Sequence, residues 1–174
     1  MFEIDYFSWH YPLLILAGFV AGFINTMAGG GSLITLPLLI FLGLPSAVAN
    51  GTNRIAIFMS AFSANAGFKS KGISNYPFNM YLGFAGLLGA LIGAQIAIDI
   101  KGDLFNKILA VIMIVVVLLI VFKPKIDSTE ILERLTGKHL YISMIAFFFI
   151  GIYGGFINAG IGFVIMLFLH YYNK

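Results

Sequence analysis

The sequence predicts an all-α, polytopic transmembrane helix bundle with an internal repeat, read as inverted, and with short broken or re-entrant helices. Three observations carry this. The 174 residues are 60% hydrophobic and only 10% charged, where soluble domains carry about 25% charged residues. The charges are segregated: Tyr6 to Asn53, Gly72 to Ile98, Ile108 to Phe122 and His139 to Asn173 contain no Asp, Glu, Lys or Arg. Finally, a glycine-rich motif occurs twice, each time ahead of an apolar stretch too short to span a bilayer. The composition excludes disordered, collagen-like and disulfide-scaffold classes, and with no Cys it carries no information on redox compartment. The net charge of +3 reflects basic loops beside a membrane rather than a nucleic-acid surface.

A spanning helix needs roughly 20 apolar residues, and roughly 17 suffice. Tyr11 to Met27, Phe78 to Ile98, Leu104 to Phe122 and Leu140 to Asn158 qualify. A fifth stretch, Ala47 to Phe68, is interrupted by Asn50, Thr52, Asn53 and Arg54. Leu33 to Leu44, which contains Pro37, and Gly162 to Tyr172 are too short to cross and read as half-helices or re-entrant segments. The first ten residues carry Glu3 and Asp5 but no Lys or Arg, so no signal peptide is expected there. Phe2, Tyr6, Phe7, Trp9 and Tyr11 suit a membrane interface.

Basic residues set the orientation. Lys69 and Lys71 precede the Phe78 helix, and Lys123, Lys125, Arg134 and Lys138 precede the Leu140 helix; the loop around Lys101 and Lys107, which also carries Asp99 and Asp103, is the competitor. The bias places the first two loops in the cytoplasm and the N-terminus outside.

Gly18-Phe-Val-Ala-Gly22-Phe23-Ile24-Asn25 recurs as Gly151-Ile-Tyr-Gly-Gly155-Phe156-Ile157-Asn158, and each copy runs into glycines and then a short apolar segment. If Leu33 to Leu44 crosses, an odd number of crossings inverts the second copy; if it merely re-enters, the copies are parallel. The inverted reading is preferred, because inverted repeats with interrupted helices are the sequence signature of secondary transporters. Residues 1–138 then form a first transmembrane repeat with its following cytoplasmic loop, and 139–174 the start of an incomplete second repeat.

The run Gly22-Phe-Ile-Asn-Thr-Met-Ala-Gly-Gly-Gly-Ser-Leu-Ile-Thr-Leu-Pro37, followed by Ala49-Asn-Gly-Thr-Asn-Arg54, resembles the sulfite exporter TauE/SafE family. Tyr153 to Phe163 resembles the start of that family's second half. The resemblance implies a multi-pass carrier of the bacterial inner membrane, taking small sulfur-containing or organic anions such as sulfite or sulfonates. The chain departs from the family in length, most of the second half being absent; it reads as a truncated carrier, a fragment, or a protein that completes its site by homo-oligomerising.

Candidate binding residues fall in three groups. Asn25, Thr26, Gly29, Gly30, Gly31 and Ser32 form a glycine turn expected to be non-helical and at membrane depth. There Ser32 can cap the short helix, whose positive end would face an anion; the competing reading is a packing turn. Asn50, Thr52, Asn53 and Arg54 form the second group. The amides and hydroxyl either bind oxyanion oxygens or cap the helix, with Asn50 or Thr52 as the cap. Arg54, roughly 10 Å along its helix, needs backbone carbonyls, water or an anion as partner unless it snorkels. A bound anion between Arg54 and the Gly30 to Ser32 amides is the expected arrangement. Asn158, Gly160 and Gly162 form the third group, with Asn158 playing the part of Asn25 and the two turns packed side by side.

Gly18-xxx-Gly22, Gly89-xxx-Gly93 and Gly151-xxx-Gly155 are expected to be close-packing faces, Asn65 and Gln95 to bond between helices, and Phe147 to Phe149 to pack or face lipid. Catalysis is disfavoured: there is no G-x-S-x-G elbow, no H-E-x-x-H and no carboxylate pair within an apolar segment. No cofactor or metal is expected. Partners are a small anionic substrate and the lipid bilayer, not nucleic acid. With no acid inside a span, a carboxylate proton relay is disfavoured. The competing function is a non-transporting membrane component.

Overall fold

The computed structural model describes residues 9–72, 76–100, 102–122 and 138–172. The aromatic residues before Trp9, together with Lys101, Lys123, Lys125 and Arg134, lie outside the described residues. Within them the chain is all helix: α1 (His10–Ala28), α2 (Ser32–Phe41), α3 (Ser46–Ser70), α4 (Phe78–Asp99), α5 (Gly102–Val121), α6 (Lys138–Phe156) and α7 (Ile161–Tyr172). Four of these, α1, α4, α5 and α6, are long and apolar enough to cross a membrane, and α2 and α7 are the short apolar helices. The interrupted fifth stretch is one continuous helix of 25 residues, α3. A helix satisfies its own backbone, so Asn50 to Arg54 lower its hydropathy without breaking it.

Helix directions follow from which residues meet. Along α4 and α6 the close approaches advance together. A Cβ on Gly89 would fall 2.0 Å from the Phe148 carbonyl oxygen, one on Gly93 2.0 Å from that of Ile152, and one on Gly155 2.2 Å from that of Ala90. The two helices are therefore parallel, and only glycine lets their backbones touch. Lys71, just before α4, and Lys138, at the start of α6, consequently lie at one end of the bundle. At the other end Ser46 donates to the Asn106 side-chain oxygen, and Ala49, Ala97, Phe105 and Leu109 share a core cluster. That is where α3 and α5 begin and α4 finishes.

The short helices reverse direction. Gly30 sits against Ile24, and Gly31 against Ala21 and Asn25, so the chain doubles back along α1. Thr35 and Leu36 then meet Asn53 and Ala49 as α2 runs to the end from which α3 starts. Likewise the Phe147–Phe168 and His139–Tyr172 ring pairs, 5.9 Å apart in each case, fold α7 back along α6. The α1–α2 and α6–α7 hairpins thus enter from opposite ends. The copies are inverted although α2 is too short to span: a ten-residue helix covers only about 15 Å, yet it reverses the chain.

Several expectations fail. Gly18 and Gly22 have nothing within 4 Å of an added Cβ, so that pair is no close-packing face. Asn65 and Gln95 are exposed. The expectation for Phe147 to Phe149 holds: Phe147 packs in a second cluster with Phe78, Leu82 and Ala85, while Phe149 is exposed.

Candidate functional site

The two hairpin tips meet. The buried Ser32 hydroxyl donates to the Asn158 backbone carbonyl at 2.7 Å. Gly29, at φ 65°, lies so close to Gly162 that a Cβ would fall 2.2 Å from its Cα. The expected pairing of the turns is present, but its parts differ from expectation. Ser32 is the first residue of α2 rather than its cap, which is Gly31 without a side-chain bond; its hydroxyl is committed across the tips instead. Asn25 and Thr26 are helical, because α1 continues one turn further, to Ala28, before Gly29 adopts the left-handed conformation and its N–H returns to the Asn25 carbonyl. The non-helical stretch is only 29–31. The second copy ends its helix earlier, at Phe156, and Asn158 itself is left-handed at φ 54°. Asn25 and Asn158 therefore have different roles despite identical motifs. Gly160, at φ 67°, sits against Val116.

Three residues of α3 face the tips at the i, i+3, i+4 spacing of one helix face. The Asn50 amide donates to the Phe156 carbonyl at 2.9 Å. Arg54 donates through Nη2 to the Gly155 carbonyl, and to that of Phe156 at 3.2 Å. These carbonyls close the last turn of α6, where a helix leaves acceptors unpaired and its dipole is negative. Among the carbonyl, water and anion partners open to it, Arg54 uses carbonyls. Asn53 is buried, and its Oδ1 accepts from Thr35. Neither Asn50 nor Thr52 caps α3, which starts at Ser46 behind the extended Pro45; Thr52 is exposed and Thr26 bonds only the Gly22 carbonyl, so neither joins the site.

Two cavities flank the tips. One, about 360 Å³, is lined by Arg54 and Asn158 beside the α4 and α6 glycines. The other, about 90 Å³, is lined by Asn25, Gly31, Thr35, Asn53 and Ser60. Arg54 and the glycine turn thus line different cavities rather than opposite walls of one. The buried Asn53 Nδ2, Asn50 Oδ1 and Arg54 Nε have no hydrogen-bond partner. Thr35 and Ser60 escape notice in the sequence as hydroxyls in apolar runs; the i, i+7 spacing of Asn53 and Ser60 is the signal that could have found Ser60.

The sulfite exporter TauE/SafE family matches residues 14–174. This chain belongs to that family. Among curated relatives, a "probable membrane transporter protein" of Haemophilus influenzae is 33% identical over 89% of this chain and 60% of its own length. Another of that description, from a Sinorhizobium species, is 30% identical over 88% and 58%. YfcA of Escherichia coli K12, described in the same terms, is 34% identical over 46% and 31%. The chain thus spans about 60% of the length of the first of these relatives. No solved structure matches. The family and the four apolar helices identify a membrane protein, and the matched residues include both hairpin tips.

Proposed function

We propose that this chain forms part of a secondary carrier for small sulfur-containing or organic anions, in the bacterial inner membrane, working by alternating access. The observation that carries the proposal is the meeting of two inverted hairpins, tip to tip, beside Asn50, Asn53 and Arg54. Such broken elements belong to transporters because two related halves can rock about a fixed site. The relatives' descriptions as membrane transporters and the family's description as sulfite exporters support the same reading. Non-helical backbone at membrane depth needs enclosure by protein or a wet cavity, and both tips are enclosed: Ser32, Ile157 and Ala159 are buried. The two glycine turns contribute close backbone approach, and the donors on α3 contribute selectivity for oxygen-rich ligands.

Reconstitution into liposomes tests this. Vesicles containing the chain should take up radiolabelled sulfite faster than empty vesicles, with uptake depressed by excess unlabelled sulfite. Uptake equal to that of empty vesicles overturns transport by this chain and favours a non-transporting membrane component.

A further inference from the structure

We infer that the oxyanion is seated in the neutral cavity between α1, α2 and α3, not on the Arg54 guanidinium, and that the size of this cavity restricts it to small inorganic oxyanions. The inference rests on the carrier reading and deepens it by placing the ligand.

The first observation is the Asn53 amide. Asn53 is 2% exposed, and its Nδ2 is buried without a partner. A buried amide N–H left unpaired is costly, and such groups call for an explanation. Asn53 lines the 90 Å³ cavity, so a ligand oxygen there would complete it. The second observation is the set of neighbours. Asn25 and Ser60 line the same space, the Asn25 amide donating to Ser60 Oγ at 3.5 Å and leaving the Ser60 hydroxyl hydrogen for a ligand, whereas the Thr35 hydroxyl that also lines it is spent on Asn53 and the Gly31 carbonyl. Gly31, the N-cap of α2, lines it too, so the positive end of the α2 dipole opens there, favouring negative charge. No charged side chain lines the cavity. An anion is therefore held by dipoles alone, without a full counter-charge, which suits a site that must also release its ligand.

Arg54 lies away from this cavity, with Nη2 bonded to two α6 carbonyls and a buried Nε that is unpaired, and it lines the opposite cavity. Size supplies the specificity. About 90 Å³ is room for about three waters and is well below the roughly 150 Å³ that a benzene ring occupies in a protein cavity. An ion of sulfite size fits within it; an aryl sulfonate would have to leave its ring outside.

Gly22 provides the decisive variant. It lines the cavity, and a Cβ added to it meets nothing within 4 Å. Gly22→Leu therefore fills the space without forcing backbone apart, whereas Asn53→Ala also removes the bond from Thr35. The experiment is calorimetric titration of the purified chain in detergent with sodium sulfite, with p-toluenesulfonate as competitor and helicity and monodispersity checked for each variant. The expected result is sulfite binding that p-toluenesulfonate does not displace, loss of binding in Gly22→Leu, and affinity lower by about ten-fold or more in Asn53→Ala. Unchanged affinity in a monodisperse Gly22→Leu protein, or displacement by p-toluenesulfonate, overturns the placement and leaves the carrier reading standing. No sulfite binding by the unsubstituted chain overturns the reading of this chain as a sulfite carrier.

Discussion

Arg54 shows how far a single residue can be read. Its isolation in an apolar helix was visible in the sequence, because a buried guanidinium must find acceptors. From α3's start at Ser46 it lies about 12 Å along the axis. The acceptors were invisible, since they are backbone carbonyls that exist only where α6 happens to stop. Arg54 and Asn50 together fasten the end of α6 to α3. Removing the guanidinium should leave those carbonyls short of donors. Arg54→Ala is expected to lower stability by about 1–2 kcal/mol and Arg54→Lys by less, since an ammonium still donates. Denaturant titration in detergent measures this. A loss confined to sulfite affinity, with stability unchanged, would return Arg54 to the ligand site.

At the scale of elements, three similar small-residue motifs have different fates. Gly89, Gly93, Gly151 and Gly155 each lie against the backbone of the facing helix, while Gly18 and Gly22 border open space. The spacing is the same; the neighbour is not. Gly93→Ala and Gly155→Ala would each drive a Cβ to within about 2.2 Å of a carbonyl oxygen, an overpacking expected to cost about 1–3 kcal/mol or more. Gly18→Ala, in an open helical position, should be neutral or slightly stabilising. Thermal unfolding of the three variants in one detergent checks the contrast, and equal midpoints for all three would mean that α4 and α6 do not touch as described. The same dependence on neighbours explains Asn25 and Asn158. Their identical tetrapeptides end one helix before Asn158 and leave Asn25 inside another, because the next residues differ: Thr-Met-Ala extends α1, whereas Ala-Gly turns the chain at Gly160.

For the whole molecule, the parallel alignment of α4 and α6 puts Lys71 and Lys138 at one end, and the basic-residue bias predicts that this end is cytoplasmic. Single cysteines are interpretable because the chain has none of its own. Cysteines at Lys71 and Lys138, both exposed, should resist an impermeant maleimide applied to intact cells and react in inverted vesicles, while one at Trp9 should react from outside. Labelling of Lys71 and Lys138 from opposite faces would contradict the packing of α4 on α6. The sequence by itself determined the helical class, the four spans, the two short helices and the repeated motif, because each is written locally in hydropathy, in charge segregation and in glycine. Only the tertiary structure decided that α2 reverses without spanning, that the tips bond through Ser32 and the Asn158 carbonyl, and that Arg54 serves α6 while Asn53 faces a separate cavity. Those outcomes depend on where backbone carbonyls and empty space fall between distant segments, and no local pattern of side chains encodes that.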